Sequence, residues 1–203
     1  MPHLELEHAL LNQGYNHICG IDEVGRGPLV GPVVAAAVIL PHGYTPPAQD
    51  SKKLSPAKRT QLFTDITAMA QVGIGQASVT EIDTLNILQA TLLAMTRALG
   101  NLPTPPDYAL IDGNKIPATL PCAAQSVIQG DATSLSIACA SIVAKVTRDK
   151  ILQNLAITYP AYGWDKNAGY GTAQHRQALL DHGITPHHRT SFEPVKSMQQ
   201  KVA

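Results

Sequence analysis

Ile18-Cys19-Gly20-Ile21-Asp22-Glu23-Val24-Gly25-Arg26-Gly27-Pro28 is the stretch from which the rest of the chain can be laid out. An apolar run leads into two adjacent carboxylates and leaves through a Gly-Arg-Gly turn, so it reads as a buried strand that ends in charge. An unpaired, ionised Asp at the edge of a core costs several kcal/mol, and a divalent cation is a suitable counter-charge. The alternative at this point is a strand that ends in an ordinary solvated acidic turn. Glycine has no Cβ, so the turn offers backbone to the close approach of a ligand.

Outward from that strand, residues 30–40 are rich in Val, Ile and Ala and read as a second strand joined to the first as a hairpin. Ser55-Pro56 is an N-cap followed by Pro at the first helical position, and the helix runs to about Gln71 with Leu62, Ile66, Met69 and Ala70 on one stripe. Residues 72–79 suggest a third strand. Thr80 or Asp83 can cap a long helix carrying Leu85, Leu88, Leu92, Met95 and Leu99, which stops at Gly100. Residues 108–111 form a compact apolar run that delivers Asp112-Gly113 to a C-terminal strand edge, where ligands gather in open α/β sheets.

A fifth strand over residues 124–129 precedes Gly130-Asp131-Ala132-Thr133-Ser134 and a helix reaching about Ile157. Leu135, Ala138, Ile142, Val146 and Ala156 face inward, and Lys145, Arg148 and Lys150 gather on the other faces. Asp131 reads equally well as a plain N-cap. Thr172 caps a last helix through His182, stopped by Gly183, and residues 193–203 read as a fraying tail.

With 203 residues, 44% of them hydrophobic, the chain can bury one sizeable core. The formal net charge is zero, so no global field draws it to nucleic acid or to an anionic membrane, and a polyanion has to be held by local clusters. Cys19, Cys122 and Cys139 lie far apart, are odd in number and lack a C-x-x-C spacing, which argues against a disulfide framework or a zinc knuckle. The N-terminus lacks the basic and apolar regions of a secretory signal, and residues 30–40 are too short to span a bilayer, so a cytoplasmic protein without membrane contact is expected. The glycine spacing fits neither a dinucleotide loop nor a Walker loop.

Asp22, Glu23, Asp112 and Asp131 come from three places that this layout puts on one side of a sheet. Oxygen donors without Cys suit Mg²⁺ or Mn²⁺, and a pair of such ions about 4 Å apart is the equipment of phosphodiester hydrolysis. Neighbours on a strand point to opposite faces, so Glu23 has to sit where the strand is ending.

Seven segments then resemble, in order, the motifs of type 2 ribonuclease H, the bacterial ribonuclease HII family. They are Asp22-Glu23-Val24-Gly25-Arg26-Gly27-Pro28-Leu29, Asp50-Ser51-Lys52-Lys53-Leu54-Ser55, Ile111-Asp112-Gly113, Gly130-Asp131, the run from Ala140 to Asp149, Gly169-Tyr170-Gly171-Thr172 and His187-His188-Arg189-Thr190-Ser191-Phe192. The resemblance implies a ribonuclease H-like α/β fold: a central mixed five-stranded sheet flanked by helices, in one domain over residues 1–203. Its core would span about 17–158 and a helical C-terminal extension about 159–203.

It also implies that Asp22, Glu23, Asp112 and Asp131 are the catalytic, metal-binding carboxylates for Mn²⁺ or Mg²⁺. Gly25, Arg26 and Gly27 would contact a ribose 2′-hydroxyl through backbone, and Tyr170 would pack on the next sugar. The activity implied is two-metal hydrolysis of the RNA strand of RNA-DNA hybrids, and incision of DNA duplexes 5′ to embedded ribonucleotides; a monomer is expected, although the sequence does not settle the oligomeric state.

Lys52 and Lys53 read as a solvated pair or as phosphate contacts near the metal edge. Lys145 and Arg148 read as surface charges or, for Arg148, as a partner of Asp149 or Asp131; His187, His188 and Arg189 read as structural hydrogen-bonding groups or phosphate contacts. Residue types alone do not rank Asp131 above Asp149. The family often carries Lys where this chain has Gln129 and Ala168, which predicts weaker, more salt-sensitive substrate binding. A catalytically silent hybrid-binding protein and the type 3 sister enzyme are the rival readings; all four carboxylates count against the first, and the Gly-Arg-Gly turn and lack of a separate N-terminal substrate domain against the second.

Overall fold

The computed structural model of the chain describes residues 2–48, 51 and 54–199. Five strands, β1 (Ile18–Val24), β2 (Val33–Ile39), β3 (Gln71–Ala77), β4 (Tyr108–Asp112) and β5 (Ala123–Val127), form one mixed sheet in the order β3-β2-β1-β4-β5. β2 is antiparallel to both β1 and β3, while β4 is parallel to β1 and β5 parallel to β4. The carboxylate-bearing strand is therefore central.

Period-two alternation divides the core into two layers. Cys19, Ile21, Val33, Ala35, Ala37 and Ile39 pack with Ala90, Ala94, Met95 and Ala98 of α4 (Ile87–Gly100). Ala36 and Val38 turn to the opposite face, against Leu62 and Ile66 of α2 (Pro56–Met69) and Ala138, Cys139, Ile142 and Val143 of α6 (Leu135–Thr158). A Cβ on Gly20 would overlap the backbone of Ser136 and Ile137, so glycine at that position is what lets α6 lie directly on β1.

Several boundaries differ from the sequence expectation for local reasons. β2 starts at Val33 because Gly31 adopts a positive φ of 80° and Pro32 has no amide to donate; Val30 makes only an isolated bridge to His188. The long helix expected from Thr80 or Asp83 is two helices. α3 (Val79–Leu85) is capped by Ser78 in a capping box with Glu81, and α4 by Asn86, which sits at φ 71° with its side-chain oxygen accepting from the amides of Leu88 and Gln89. Leu85 and Met69 are 40% and 59% exposed, so neither belongs to the buried stripes assigned to them.

Ser134, not Asp131, caps α6; Asp131 is inside the short helix α5 (Gly130–Thr133) that precedes it. The junction is tied down from the N-terminus: Glu7 of α1 (Glu5–Leu11) accepts, on Oε1, from Ser134 Oγ at 2.7 Å, Ser136 N at 3.0 Å and Ser136 Oγ at 2.7 Å. At the other end of the chain, α7 (Trp164–Asn167), α8 (Ala173–His182) and α9 (Val195–Gln199) close over Leu29 and Val30 with Leu152, Trp164, Leu179 and Val195. Val195 is fully buried, so a fraying tail does not begin at residue 193. Among the described residues no helix is long and apolar enough to cross a membrane.

Candidate active site

Parallel pairing of Ile21 with Ile111 carries Asp22 and Asp112 to the same edge of the sheet. Glu23 is the last carboxylate before the strand ends at Val24, and this position lets it join the others in spite of the alternation of faces. Ligand oxygens of Asp22, Glu23 and Asp112 lie within 4.8 Å of one another, and Asp22 is buried. Asp22 Oδ1 accepts from the Glu23 amide at 2.7 Å, and Asp112 Oδ1 from the Gly130 amide at 2.7 Å. Ser141 of α6 favours the ionised form of Asp22, and its Oγ is 2.9 Å from Ser51 Oγ, which ties Ser51 to α6.

Burial, followed by the charges of Glu23 and Asp112, pushes the Asp22 carboxyl well above its ordinary value. Burial also raises Glu23, against the opposing pull of Arg26, whose Nη1 is 3.4 Å from Glu23 Oε1. A hard divalent cation among these oxygens would remove the repulsion and replace the lost hydration, and an all-oxygen donor set fits Mg²⁺ or Mn²⁺. Asp131 stands outside the three-carboxylate group, one residue beyond the Gly130 amide that holds Asp112. A cavity of about 210 Å³ opens from Glu23, Arg26 and Asp112 toward Leu88, Thr91 and Met95 of α4. An apolar cavity of about 290 Å³ at the opposite end of β1 holds one acid, Glu7, already engaged by Ser134 and Ser136, and gathers no comparable cluster.

Beyond Val24 the chain turns through Gly25, at φ 95°, Arg26 and Gly27. A Cβ on Gly27 would stand 3.3 Å from Cε1 of Tyr170, whose ring is 51% exposed, so the turn and the aromatic form one surface next to the carboxylates. Lys52 and Lys53 lie outside the described residues. Gln129 and Ala168, where lysines were expected, both adopt the left-handed conformation, at φ 54° and 50°, immediately before a glycine.

Residues 19–195 match the family model described as Ribonuclease HII, and a ribonuclease HII from Magnetococcus marinus is 58% identical over 204 residues, covering 97% of this chain and 95% of its own. The chain belongs to the ribonuclease HII family. It is thus a metal-dependent ribonuclease H. The ribonuclease HII of Ruegeria pomeroyi is 57% identical over 195 residues, covering 96% of this chain and 83% of its own. The fold has the same kinship: the crystal structure of the ribonuclease H2 from Pyrococcus horikoshii superposes with a TM-score of 0.77 at 24% identity, covering 92% of this chain and 98% of that one.

Of two arginines near the site, Arg148 departs from its sequence reading, whereas Arg189 is the structural hydrogen-bonding group that was one of its two readings. Arg148 is 1% exposed, and its guanidinium donates to the carbonyls of Val30, Pro32 and Ala168 rather than lying among the surface charges. Asp149 instead pairs with Lys145 at 2.6 Å. Arg189 is fully buried and donates to the carbonyls of Gly25, Arg26 and Gly31. Burial lowers Arg148 to about 10 and Arg189 to about 9, which leaves both charged at neutral pH. Their signal in the sequence was only that each lies in a motif with small and polar neighbours. Ser141 and Ser51 likewise lie within the motifs, and nothing in their residue type signals their contact.

Proposed function

We propose that this chain cuts the RNA strand of RNA-DNA hybrids and nicks DNA duplexes 5′ to an embedded ribonucleotide, leaving a 5′-phosphate and a 3′-hydroxyl. The observation that carries the reading is the convergence of Asp22, Glu23 and Asp112 beside a turn whose Arg26 and Gly27 are exposed, with Gly25 buried beneath them, and beside an exposed tyrosine. Asp22, Glu23, Asp112 and Asp131 are the residues assigned to hold two Mg²⁺ or Mn²⁺ ions. Bound there, such ions would lower the pKa of the attacking water and offset charge on the leaving oxygen.

The remaining work falls to this chain's own groups. The Glu23 and Gly130 amides fix the carboxylates of Asp22 and Asp112 by hydrogen bonds, so the donor oxygens are set before substrate arrives. The amides of the Gly25-Arg26-Gly27 turn would meet the 2′-hydroxyl, the one group by which ribose differs from deoxyribose, and Tyr170 would pack on the following sugar. Lys52 and Lys53 are assigned to backbone phosphates. With no net charge on the chain, such local contacts have to hold the substrate.

Incubation of a duplex containing one ribonucleotide with the protein and Mn²⁺ tests the reading. A nick 5′ to the ribonucleotide, abolished by chelation and by Asp22→Asn, is expected. An intact duplex in both Mn²⁺ and Mg²⁺ would refute it.

A further inference from the structure

The turn from Gly25 to Gly27 leaves the sheet and gains no strand partner, so its shape has to be fixed from outside the ladder. Two buried guanidiniums lie beneath it. Arg189 Nη2 donates to Gly25 O at 2.5 Å and Gly31 O at 2.8 Å, Nη1 to Arg26 O at 3.0 Å, and Nε to Gly31 O at 3.0 Å. Arg148 Nε donates to Pro32 O at 3.0 Å, Nη2 to Val30 O at 2.8 Å, and Nη1 to Ala168 O at 3.0 Å, which reaches across to the loop bearing Tyr170. Neither arginine forms a salt bridge with a carboxylate among the described residues. Seven N–H···O=C bonds thus replace the counter-ion that a buried guanidinium ordinarily takes.

The orientation of the turn follows from peptide geometry. Among the described residues the cis peptide is Glu193-Pro194, so Gly25-Arg26 and Arg26-Gly27 are trans, and in a trans peptide the N–H points opposite to the C=O. With the carbonyls of Gly25 and Arg26 drawn onto Arg189, the amides of Arg26 and Gly27 face away from it. Neither amide donates to a backbone acceptor among the described residues. The Arg189 backbone closes the same knot, its amide donating to Leu29 O at 2.8 Å, while Leu29 N donates to Gly169 O at 2.9 Å.

We propose that Arg189 and Arg148 are positioning residues for ribose discrimination: they hold the carbonyls of the turn and of the Tyr170 loop inward, so that two backbone donors are presented, preset, to a 2′-hydroxyl. The proposal rests on the reading of the site given above. Asp83 extends the device. Its carboxylate accepts from Thr190 N and Oγ1 at 2.9 and 2.8 Å and from Ser191 N and Oγ at 3.0 and 2.5 Å, which pins the backbone directly after Arg189.

The test compares affinities, in Ca²⁺ to suppress cleavage, for a duplex with one ribonucleotide and for the same duplex entirely in DNA. Arg189→Lys keeps the charge and the apolar stem but loses the planar fork. The expected result is a fall of about tenfold in the ratio of the two affinities, the size of one hydrogen bond at about 1.4 kcal/mol, with all-DNA binding and the Mn²⁺ titration midpoint changed less than about twofold. Arg148→Lys and Asp83→Asn should lower the ratio in the same direction, and they serve in its place if Arg189→Lys does not fold. Ratios retained in the folded variants, or both affinities falling together, would overturn the proposal. Wild-type protein that does not nick the ribonucleotide duplex in Mn²⁺ would instead remove the underlying reading of the site.

Discussion

Acid should unlatch the C-terminal elements through one histidine. His175 Nδ1 lies 2.9 Å from Tyr170 O, an acceptor only, so this nitrogen carries the proton. Its Nε2 is then the acceptor for Trp164 Nε1 and for His188 Nε2, each at 3.1 Å, which places the second proton on His188 Nε2. His188 Nδ1 accepts from Thr185 N at 3.0 Å. All four ring nitrogens are satisfied with both rings neutral, and a further proton would have to enter facing an existing donor. Burial first, and then the neighbouring His175, push His188 down from 6.5 to about 4.

The sign follows directly. Above pH 6.5 neither the folded nor the unfolded chain protonates this group and the pH dependence is nil. Between 6.5 and about 4 the unfolded chain takes up a proton that the folded one refuses, so stability falls as the pH falls. Two and a half units at 1.36 kcal/mol each correspond to about 3 kcal/mol, a large part of the 5–15 kcal/mol typical of a domain. Asp22 and Glu23, with raised values, act in the opposite sense over part of this window, so the wild-type curve alone is not diagnostic. Urea unfolding of wild type and His188→Gln between pH 4 and 7 isolates the effect: the variant should be less stable at neutral pH, and its stability should fall less steeply on acidification. The ring proton of His188, followed by NMR, should not titrate above pH 5. A midpoint near 6.5, or parallel stability curves, would refute the reasoning.

Asp22→Asn should abolish Mn²⁺-dependent cleavage and yet raise the stability of the metal-free protein, by on the order of 1–2 kcal/mol from relieved burial of like charge, as read by denaturant midpoints with chelator present. Gly20→Ala should lower stability by about 3 kcal/mol, because the new methyl overlaps the backbone at Ser136 and Ile137 and overpacking of this kind costs 1–3 kcal/mol or more; an unchanged urea midpoint would contradict the packing of α6 on β1. Ala168→Lys should tighten binding at every salt concentration tested and so extend activity to higher salt, while steepening the dependence of log affinity on log salt by about 0.9, the increment for one added phosphate contact. A missing lysine therefore weakens binding and flattens the slope, contrary to the expectation of greater salt sensitivity. An identical salt profile would show that position 168 does not reach the substrate backbone.

The sequence was most informative where a residue's type dictates its surroundings. A strand ending in Asp112-Gly113 and a second ending in Asp22-Glu23 could be placed at one sheet edge because apolar runs of that length have few other uses, and parallel pairing of Ile21 with Ile111 realises that placement. Features decided by distant partners were not visible. Arg148 sits three residues from Lys145 on a helix and looks like its companion on the surface, yet Lys145 meets Asp149 and Arg148 is buried against carbonyls more than a hundred positions earlier. Nothing local distinguishes the two, because the burial of Arg148 is created by the segment from Val30 to Pro32. Asn86 was missed for a different reason: leucine spacing continues across it, and the break depends on an asparagine taking up positive φ, which its type allows but does not demand.

The continuity of β1 into its turn ties the chemistry to the recognition. Asp22 and Glu23 belong to the sheet, held by pairing with Ala36 and Ala35 of β2, and Gly25 follows two residues after Glu23, held from below by Arg189. Two residues of extended chain span roughly 7 Å, and no loop intervenes to vary that distance. On the proposed function, the scissile bond would therefore be set relative to the ribose by the backbone itself. An enzyme working in this way would need no reading of base sequence, because whichever nucleotide offered a 2′-hydroxyl to the turn would bring the same neighbouring phosphate to the carboxylates. The same reading would give the arginine–carbonyl bonds under the turn their purpose: a shift of the turn by one ångström would lose the proposed ribose contact and misplace the phosphate together.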